Sequence, residues 1–157
     1  MAVSKDEFRS ALSRFASGVT VVTCQVPGGE MRGITVSAFS SLSLDPPLVL
    51  VCIDKRASLH DDLKEGGFFA VNFLAEDQEP VSRRFASKDD DRFNGIKCSK
   101  GQSLVPLIEG ALGFVECRVV NVYPGGDHTI FVGQVESTGV NDGRPLLYFR
   151  GYYSNLG

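Results

Sequence analysis

Residues 18–44 read GVTVVTCQVPGGEMRGITVSAFSSLSL, and they decide the fold. Two runs rich in β-branched residues, GVTVVTCQV (18–26) and GITVSAFSSLSL (33–44), flank PGGEM (27–31). A glycine turn between two such runs is the signature of a β-hairpin. Immediately downstream, PPLVLVCI (46–53) is a continuous apolar run, which reads as a strand buried on both faces. Pro46 and Pro47 confine its start to a turn or an edge. FFAVNFL (68–74), GALGFVECRVVNVY (110–123), TIFVGQVESTGV (129–140) and PLLYF (145–149) supply four more strands.

Helical signals are few. Ser4 followed by Glu7 forms a capping-box pattern, and Phe8, Leu12 and Phe15 recur at helical spacing before Gly18, which predicts a helix over 5–16 with its aromatic stripe in the core. Two shorter helices are expected over 58–65, ended by Gly66 and Gly67, and over 77–86. Strands separated mostly by turns, with no regular helix after each, argue against a doubly wound parallel sheet. They predict a mainly β, antiparallel barrel of Greek-key type with a few short helices. No repeat, linker or low-complexity segment divides the chain, so residues 1–157 read as one domain.

The composition narrows the function classes. A chain of this length buries enough surface to fold without staples. The hydrophobic share of 43% and charged share of 22% are those of a globular protein. A net charge of -3 offers no electrostatic footprint for nucleic acid or for an anionic membrane. Cys24, Cys52, Cys98 and Cys117 are isolated from one another, with no C-x-x-C pair, and His60 is not spaced from them like a zinc ligand. They read as reduced core cysteines, and no metal site is expected. The charged start MAVSKDEFRS and the lack of a long apolar window make the cytoplasm the expected compartment.

Three segments invite a chemical reading. Thr35, Ser37, Ser40, Ser41 and Ser43 run as a hydroxyl series through an otherwise apolar region. Alternation places Thr35, Ser37 and, after a bend, Ser41 on one face, where they either line a polar ligand or face solvent on an edge strand. In DKRASLHDDL (54–63), Lys55 and Arg56 precede Ser58, a candidate N-cap; a hydroxyl, free amides and two cations at a helix start suit a phosphate, though a capped surface helix looks the same. In YPGGDHTIFVG (123–133), His128 follows a glycine pair and Asp127, and is either a solvated turn residue or a functional one. His60, beside Asp61 and Asp62, reads as a surface residue.

Taken in order, RFASGVTVVT, GITVSAFSSLSLDPPLVLVCIDK, FFAVNFLAEDQEPVSRRFAS, FNGI, GALGFVECRVV, GGDHTIFVGQVE and PLLYFRGYY resemble the short flavin reductase family, from about Phe8 to Tyr153. These are the reductase components of two-component flavin-dependent monooxygenases, built on a flavin-binding split barrel. The resemblance implies an NAD(P)H:flavin oxidoreductase that forms a homodimer and hands reduced FAD or FMN to a separate monooxygenase. The same fold also serves non-catalytic flavin-binding proteins and pyridoxamine phosphate oxidase-like enzymes, so the fold alone does not establish the reaction.

By position, the resemblance assigns flavin contacts to Gly33, Ile34, Thr35, Val36, Ser37 and Ala38, and to Ser40 and Ser41. Cys52, Ile53 and Asp54 correspond to the strand end passing the isoalloxazine ring, and Ser58, with Lys55 or Arg56, to the flavin phosphate. Arg84 and Phe85 match a flavin-proximal pair, while Arg83, about 100° away on the helix, points elsewhere. His128 is expected to meet the nicotinamide dinucleotide or steady the reduced flavin, with Asp127 holding its tautomer or capping the turn. Tyr148, Phe149, Arg150 and Gly151 match a further nicotinamide-contacting segment. The chain has no G-x-G-x-x-G loop between strand and helix, so dinucleotide binding does not rest on a Rossmann site. NADH is favoured over NADPH because no arginine cluster awaits a 2′-phosphate.

Overall fold

A computed structural model describes residues 2–157. The chain begins with helix α1 (Lys5–Leu12) and continues through β1 (Ser17–Gly18), β2 (Thr20–Gln25), β3 (Met31–Val36), β4 (Phe39–Ser43) and β5 (Leu48–Asp54). A single 3-10 turn (His60–Asp62) leads to β6 (Phe68–Phe73) and helix α2 (Glu79–Ala86). The short strands β7 (Cys98–Lys100) and β8 (Pro106–Ile108) precede two long strands, β9 (Gly113–Gly125) and β10 (His128–Val140). Strands β11 (Leu147–Phe149) and β12 (Tyr152–Ser154) close the chain.

Seven strands form one antiparallel sheet in the order β3-β2-β6-β9-β10-β5-β4. The PGGEM turn joins β2 to β3 as expected, pairing Thr20 with Val36 and Gln25 with Met31. The edge strands β3 and β4 are separated in the chain by only Ser37 and Ala38. The sheet must therefore roll to bring its two edges together, and the β4–β5 ladder runs on into the connection, where the amide of Cys52 donates to the carbonyl of Ala38 at 3.0 Å. The β5-to-β6 connection crosses over the β9–β10 hairpin, which gives the barrel its Greek-key character.

Inside the roll, Val22, Val51, Ile53, Phe69, Val71, Val119 and Phe131 make the main core. A second cluster, with Val21, Leu74, Phe85, Ile108 and Leu146, lies under α2. Phe85 approaches β3 so closely that a Cβ on Gly33 would sit 2.6 Å from its ring, so only glycine fits there. Asn72, fully buried, ties three strands together: its amide donates to the Val21 carbonyl at 2.9 Å and to Thr23 Oγ1 at 3.1 Å, and its oxygen accepts from the Ile108 amide at 3.0 Å.

Three expectations need correction. The helix over 5–16 ends at Leu12, and its stripe is not core: Phe8, Leu12 and Phe15 are exposed, Phe15 at 81%. The capping box itself is present, with the Glu7 amide donating to Ser4 Oγ at 3.1 Å and the Ser4 amide to Glu7 Oε1 at 3.2 Å. The amphipathic pattern specified a helix with an apolar face, but this chain offers that face no neighbour. The helix over 58–65 shrinks to the 3-10 turn, whose N-cap is Leu59 and not Ser58. Strand β5 alternates between buried and half-buried residues and is not covered on both faces, because its outer side borders the candidate site.

Asn72→Ala would strand the Ile108 amide and the Val21 carbonyl in the core. The variant should lose about 2–4 kcal/mol of stability in urea unfolding, from the usual cost of buried unpaired groups.

Candidate functional site

Two adjoining clefts run along one side of the barrel. The shallow one, about 160 Å³, is lined by residues 34–38 at the end of β3, by Cys52, Ile53 and Asp54 at the end of β5, and by His128. The wide one, about 800 Å³, is lined by 29–33 on the β2–β3 hairpin, by Arg56, Ala57 and Ser58, and by the loop 88–93. They meet where Gly33 runs into Ile34 and where Asp54 pairs with Arg56. Residues that stand far apart in sequence thus converge at one place.

Strand β5 reaches the cleft because its inner residues Val49, Val51 and Ile53 are core, which turns Leu50, Cys52 and Asp54 outward. Antiparallel pairing then sets His128 directly opposite Asp54. Asp127 Oδ1 lies 2.7 Å from His128 Nδ1. The hydrogen bond and charge of His128 hold the Asp127 carboxyl below the ordinary carboxylate range, so it is the acceptor and Nδ1 carries the proton. Among the described residues Nε2 has no partner, which leaves it for a ligand.

Asp54 is held well below the ordinary carboxylate range, first by the side-chain hydrogen bonds of Arg56 and then by the Arg56 amide. The distances are 2.9 Å from Arg56 Nη2 to Oδ2, 3.2 Å from Nε to Oδ1 and 2.8 Å from the amide to Oδ1. The guanidinium is thereby fixed at the junction of the two clefts with most of its surface open to solvent. Lys55 lines neither cleft, although its amide donates to the Asp127 carbonyl at 3.0 Å, and of the two expected cations Arg56 is the one at the site. Ser58 lines the wide cleft as expected, although it caps no helix.

Other expected residues fall less simply. Thr35 lines the shallow cleft, but its hydroxyl donates to the Ser82 carbonyl at 2.6 Å. Ser40 and Ser41 lie outside both clefts, with Ser40 Oγ donating to the Ser41 carbonyl at 2.8 Å; the bend at Ser37–Ala38 turns β4 away. Phe85 is fully buried against Phe93, ring centroids 4.9 Å apart, and supports β3 from below without facing a cleft. Arg84 Nη2 donates to the carbonyls of Asp91 (3.1 Å) and Asn94 (2.8 Å), so it shapes the loop wall of the wide cleft. Arg83 does point elsewhere, pairing with Glu79 at 2.8 Å and lying 4.9 Å over the Tyr153 ring.

Tyr148, Phe149, Arg150 and Gly151 are not brought to His128 within one chain. Phe149 and Arg150 line a separate hollow of about 520 Å³ with Arg14, Tyr152 and Ser154. Tyr148 packs edge-on against Tyr153 at 5.3 Å, and Arg150 and Gly151 turn the chain with positive φ, +52° and +82°. His60, expected at the surface, is half-buried: its Nε2 meets Thr129 Oγ1 at 2.7 Å, its Nδ1 meets Asp61 Oδ1 at 2.8 Å, and its ring packs edge-on against Phe131. The loop 88–93 was the element sequence reasoning missed. Its charge-dense string KDDDRF carries no periodicity and reads as a solvated turn.

The rolled antiparallel sheet with a cleft between the ends of β3 and β5 is the architecture of a split barrel, and the comparisons with known proteins identify its class as flavin-binding. The model of the flavin reductase like domain matches residues 12–157, and the chain belongs to that family. It is 46% identical over 152 residues to an NADH-dependent flavin reductase from a Rhodococcus species, covering 94% of this chain and 84% of the relative. It is 47% identical over 153 residues to the reductase component of 4-hydroxyphenylacetate 3-monooxygenase from Thermus thermophilus, covering 97% of each. Among solved structures, an NADH:FAD oxidoreductase from Streptomyces globisporus in complex with NAD and FAD fragments superimposes with a TM-score of 0.92 at 38% identity, covering 100% of this chain and 97% of the other.

The cysteines are chemically quiet. Burial pushes the thiols of Cys24 and Cys117 up to about 12, and raises that of Cys52 in the cleft as well. At pH near 8, iodoacetamide should leave Cys24 and Cys117 unmodified in the native protein and alkylate all four after denaturation. Mass mapping of the peptides checks this, and modification of Cys117 in the native state would contradict it.

Proposed function

We propose that this flavin reductase is the reducing half of a two-component monooxygenase, using NADH to reduce FAD or FMN and passing the reduced flavin to a separate oxygenase. The observation that carries the reading is the convergence of the β3 end, the β5 end and His128 on one cleft, in a chain of this family. Relatives named as monooxygenase reductase components support the partner. Bound flavin supplies the chemistry, accepting a hydride from the dihydronicotinamide and carrying the electrons onward.

The chain's own residues bind and orient. The backbone of Ile34–Ala38 and of Cys52–Asp54 suits the polar edge of the ring, and Ser58 with Arg56 suits the phosphate. Cys52 borders the ring as a packing residue and does not react. His128, its Nδ1–H held by Asp127, offers Nε2 to the nicotinamide dinucleotide as a positioned hydrogen-bond partner. We place the enzyme in the cytoplasm, where NADH is regenerated; among the described residues no helix is long and apolar enough to cross a membrane.

The protein acts as a homodimer in this reading. Its support is the uncovered apolar surface of Phe8, Leu12 and Phe15 on α1 and after it, together with the half-exposed Phe149 and the exposed Tyr152. A partner copy also accounts for a Tyr148–Gly151 segment that does not reach its own chain's His128. Sedimentation equilibrium should give twice the 17.0 kDa of one chain, and a monomer at micromolar concentration would refute it.

Purified protein mixed with flavin and NADH should lose absorbance at 340 nm catalytically; absence of turnover with either flavin would refute the assignment. His128→Ala should lower kcat/KM for NADH about tenfold, the value of one hydrogen bond made in the transition state. Its flavin affinity should stay at the wild-type value.

A further inference from the structure

The segment after β5 carries Arg56 and Ser58, the proposed flavin-phosphate contacts, yet it belongs to no strand or helix until the 3-10 turn at His60–Asp62. Leu59 and Leu63 are buried in the main core and hold it against the barrel. Apolar burial is non-directional, so it does not set how the segment lies along the wall of the cleft. Hydrogen bonds set that, because they act only over short distances and narrow angles.

These bonds lead to the start of β10. Ahead of Ser58, the Lys55 amide donates to the Asp127 carbonyl at 3.0 Å; beyond it, His60 Nε2 lies 2.7 Å from Thr129 Oγ1. Asp127 and Thr129 are the two neighbours of His128. The segment is thus fastened on both sides of Ser58 to the chain on both sides of His128. The first fastening joins backbone to backbone, whereas the second depends on two side chains alone.

His60 is held in place for that contact. Its side chain is 18% exposed, and its Nδ1 lies 2.8 Å from Asp61 Oδ1. A carboxylate accepts, so in the neutral ring Nδ1 carries the proton and Nε2 is left to accept from the Thr129 hydroxyl. The ring also rests edge-on against Phe131, centroids 5.8 Å apart. At the other end of the same turn, Asp62 Oδ2 accepts from Arg32 Nε at 3.1 Å, and Arg32 lines the wide cleft on β3. One turn therefore reaches the walls of both clefts.

We propose that His60 is a positioning residue for both ligands of the reductase: through Thr129 it keeps Arg56 and Ser58 in fixed relation to His128. The proposal rests on the flavin reading of the two clefts. His60 lines neither of them, so it acts only through these neighbours.

Two substitutions break the contact from opposite sides. Thr129→Val removes the hydroxyl and keeps a β-branched residue in the strand, and His60→Ala removes the acceptor. In the ligand-free protein each should speed amide hydrogen exchange over residues 55–60 by about fivefold or more, while β6 and β9 exchange as in wild type. With ligands, each should weaken flavin binding about fivefold to tenfold and lower kcat/KM for NADH at saturating flavin by about as much, the value of one hydrogen bond. His60→Gln, whose carboxamide oxygen can accept from Thr129, should stay within about twofold of wild type on all three readouts. The double variant His60→Ala, Thr129→Val should be no worse than the weaker single variant, since both remove one interaction.

A lowered Tm with wild-type flavin affinity and wild-type kcat/KM would make His60 a packing residue and overturn the proposal. Losses that add in the double variant would overturn it too, because the two side chains would then act separately. If His60→Ala fails to fold, Thr129→Val and His60→Gln carry the same test. Every variant is compared with a wild-type enzyme that turns over NADH, so failure of the proposal leaves the reductase reading standing.

Discussion

The site depends on the register between β10 and β5, in which His128 lies opposite Asp54 and Phe131 opposite Val51. Phe131, Val51 and Ile53 are all buried in the barrel, so the core chooses this register and no other. A slip of one residue would send Phe131 outward and His128 inward, exchanging a large apolar burial for a buried imidazole. The position of His128 is in this sense a by-product of packing several residues away. The same register brings the Asp127 carbonyl to the Lys55 amide, which turns Arg56 toward the cleft.

On that frame the charged groups act by orientation. Arg56 and His128 are each fixed by a neighbouring carboxylate, Asp54 and Asp127 respectively, and each keeps a free side toward the cleft. Exposed pairs of this kind add little to folding stability, because solvent screens them and two side chains lose freedom. Their value lies in removing the freedom before a ligand arrives, which lowers the cost of binding. Arg92 and Arg84 do the same for backbone, spending their donors on carbonyls of β3, α2 and the loop.

Much of this was legible in the sequence. The β2–β3 hairpin follows from glycines between β-branched runs, and the long β9–β10 hairpin from two alternating runs around PGGD. Segments 34–38 and 52–54, which the family resemblance assigns to flavin contacts, line one cleft, and Gly33 lines the adjoining one. What escaped had no local signal. Phe15 reads as core because helical spacing reports an apolar face and not what covers it. Ser58 reads as a helix cap because the sequence pattern predicts a helix over 58–65, where only the 3-10 turn at His60–Asp62 forms. Lys55 and Arg56 are equivalent in composition, and only the three hydrogen bonds to Asp54 fix Arg56 at the cleft. The loop 88–93 becomes a wall only through long-range hydrogen bonds to Gly33 and Phe85.

His60 shows how the two ends of the site are joined. Its ring bridges the 3-10 turn, two residues past Ser58, to Thr129, the residue after His128. With Asp61 on the other nitrogen, both ring nitrogens are engaged, and the edge of the ring rests on Phe131 in the core. The segment proposed to hold the flavin phosphate and the strand start proposed to hold the dinucleotide are therefore fastened through a single side chain. Thr129 is buried while His128 beside it faces the cleft, since successive residues of a strand point to opposite sides. One strand start thus presents a cleft-lining residue, the proposed dinucleotide contact, on its outer face and an anchor on its inner face.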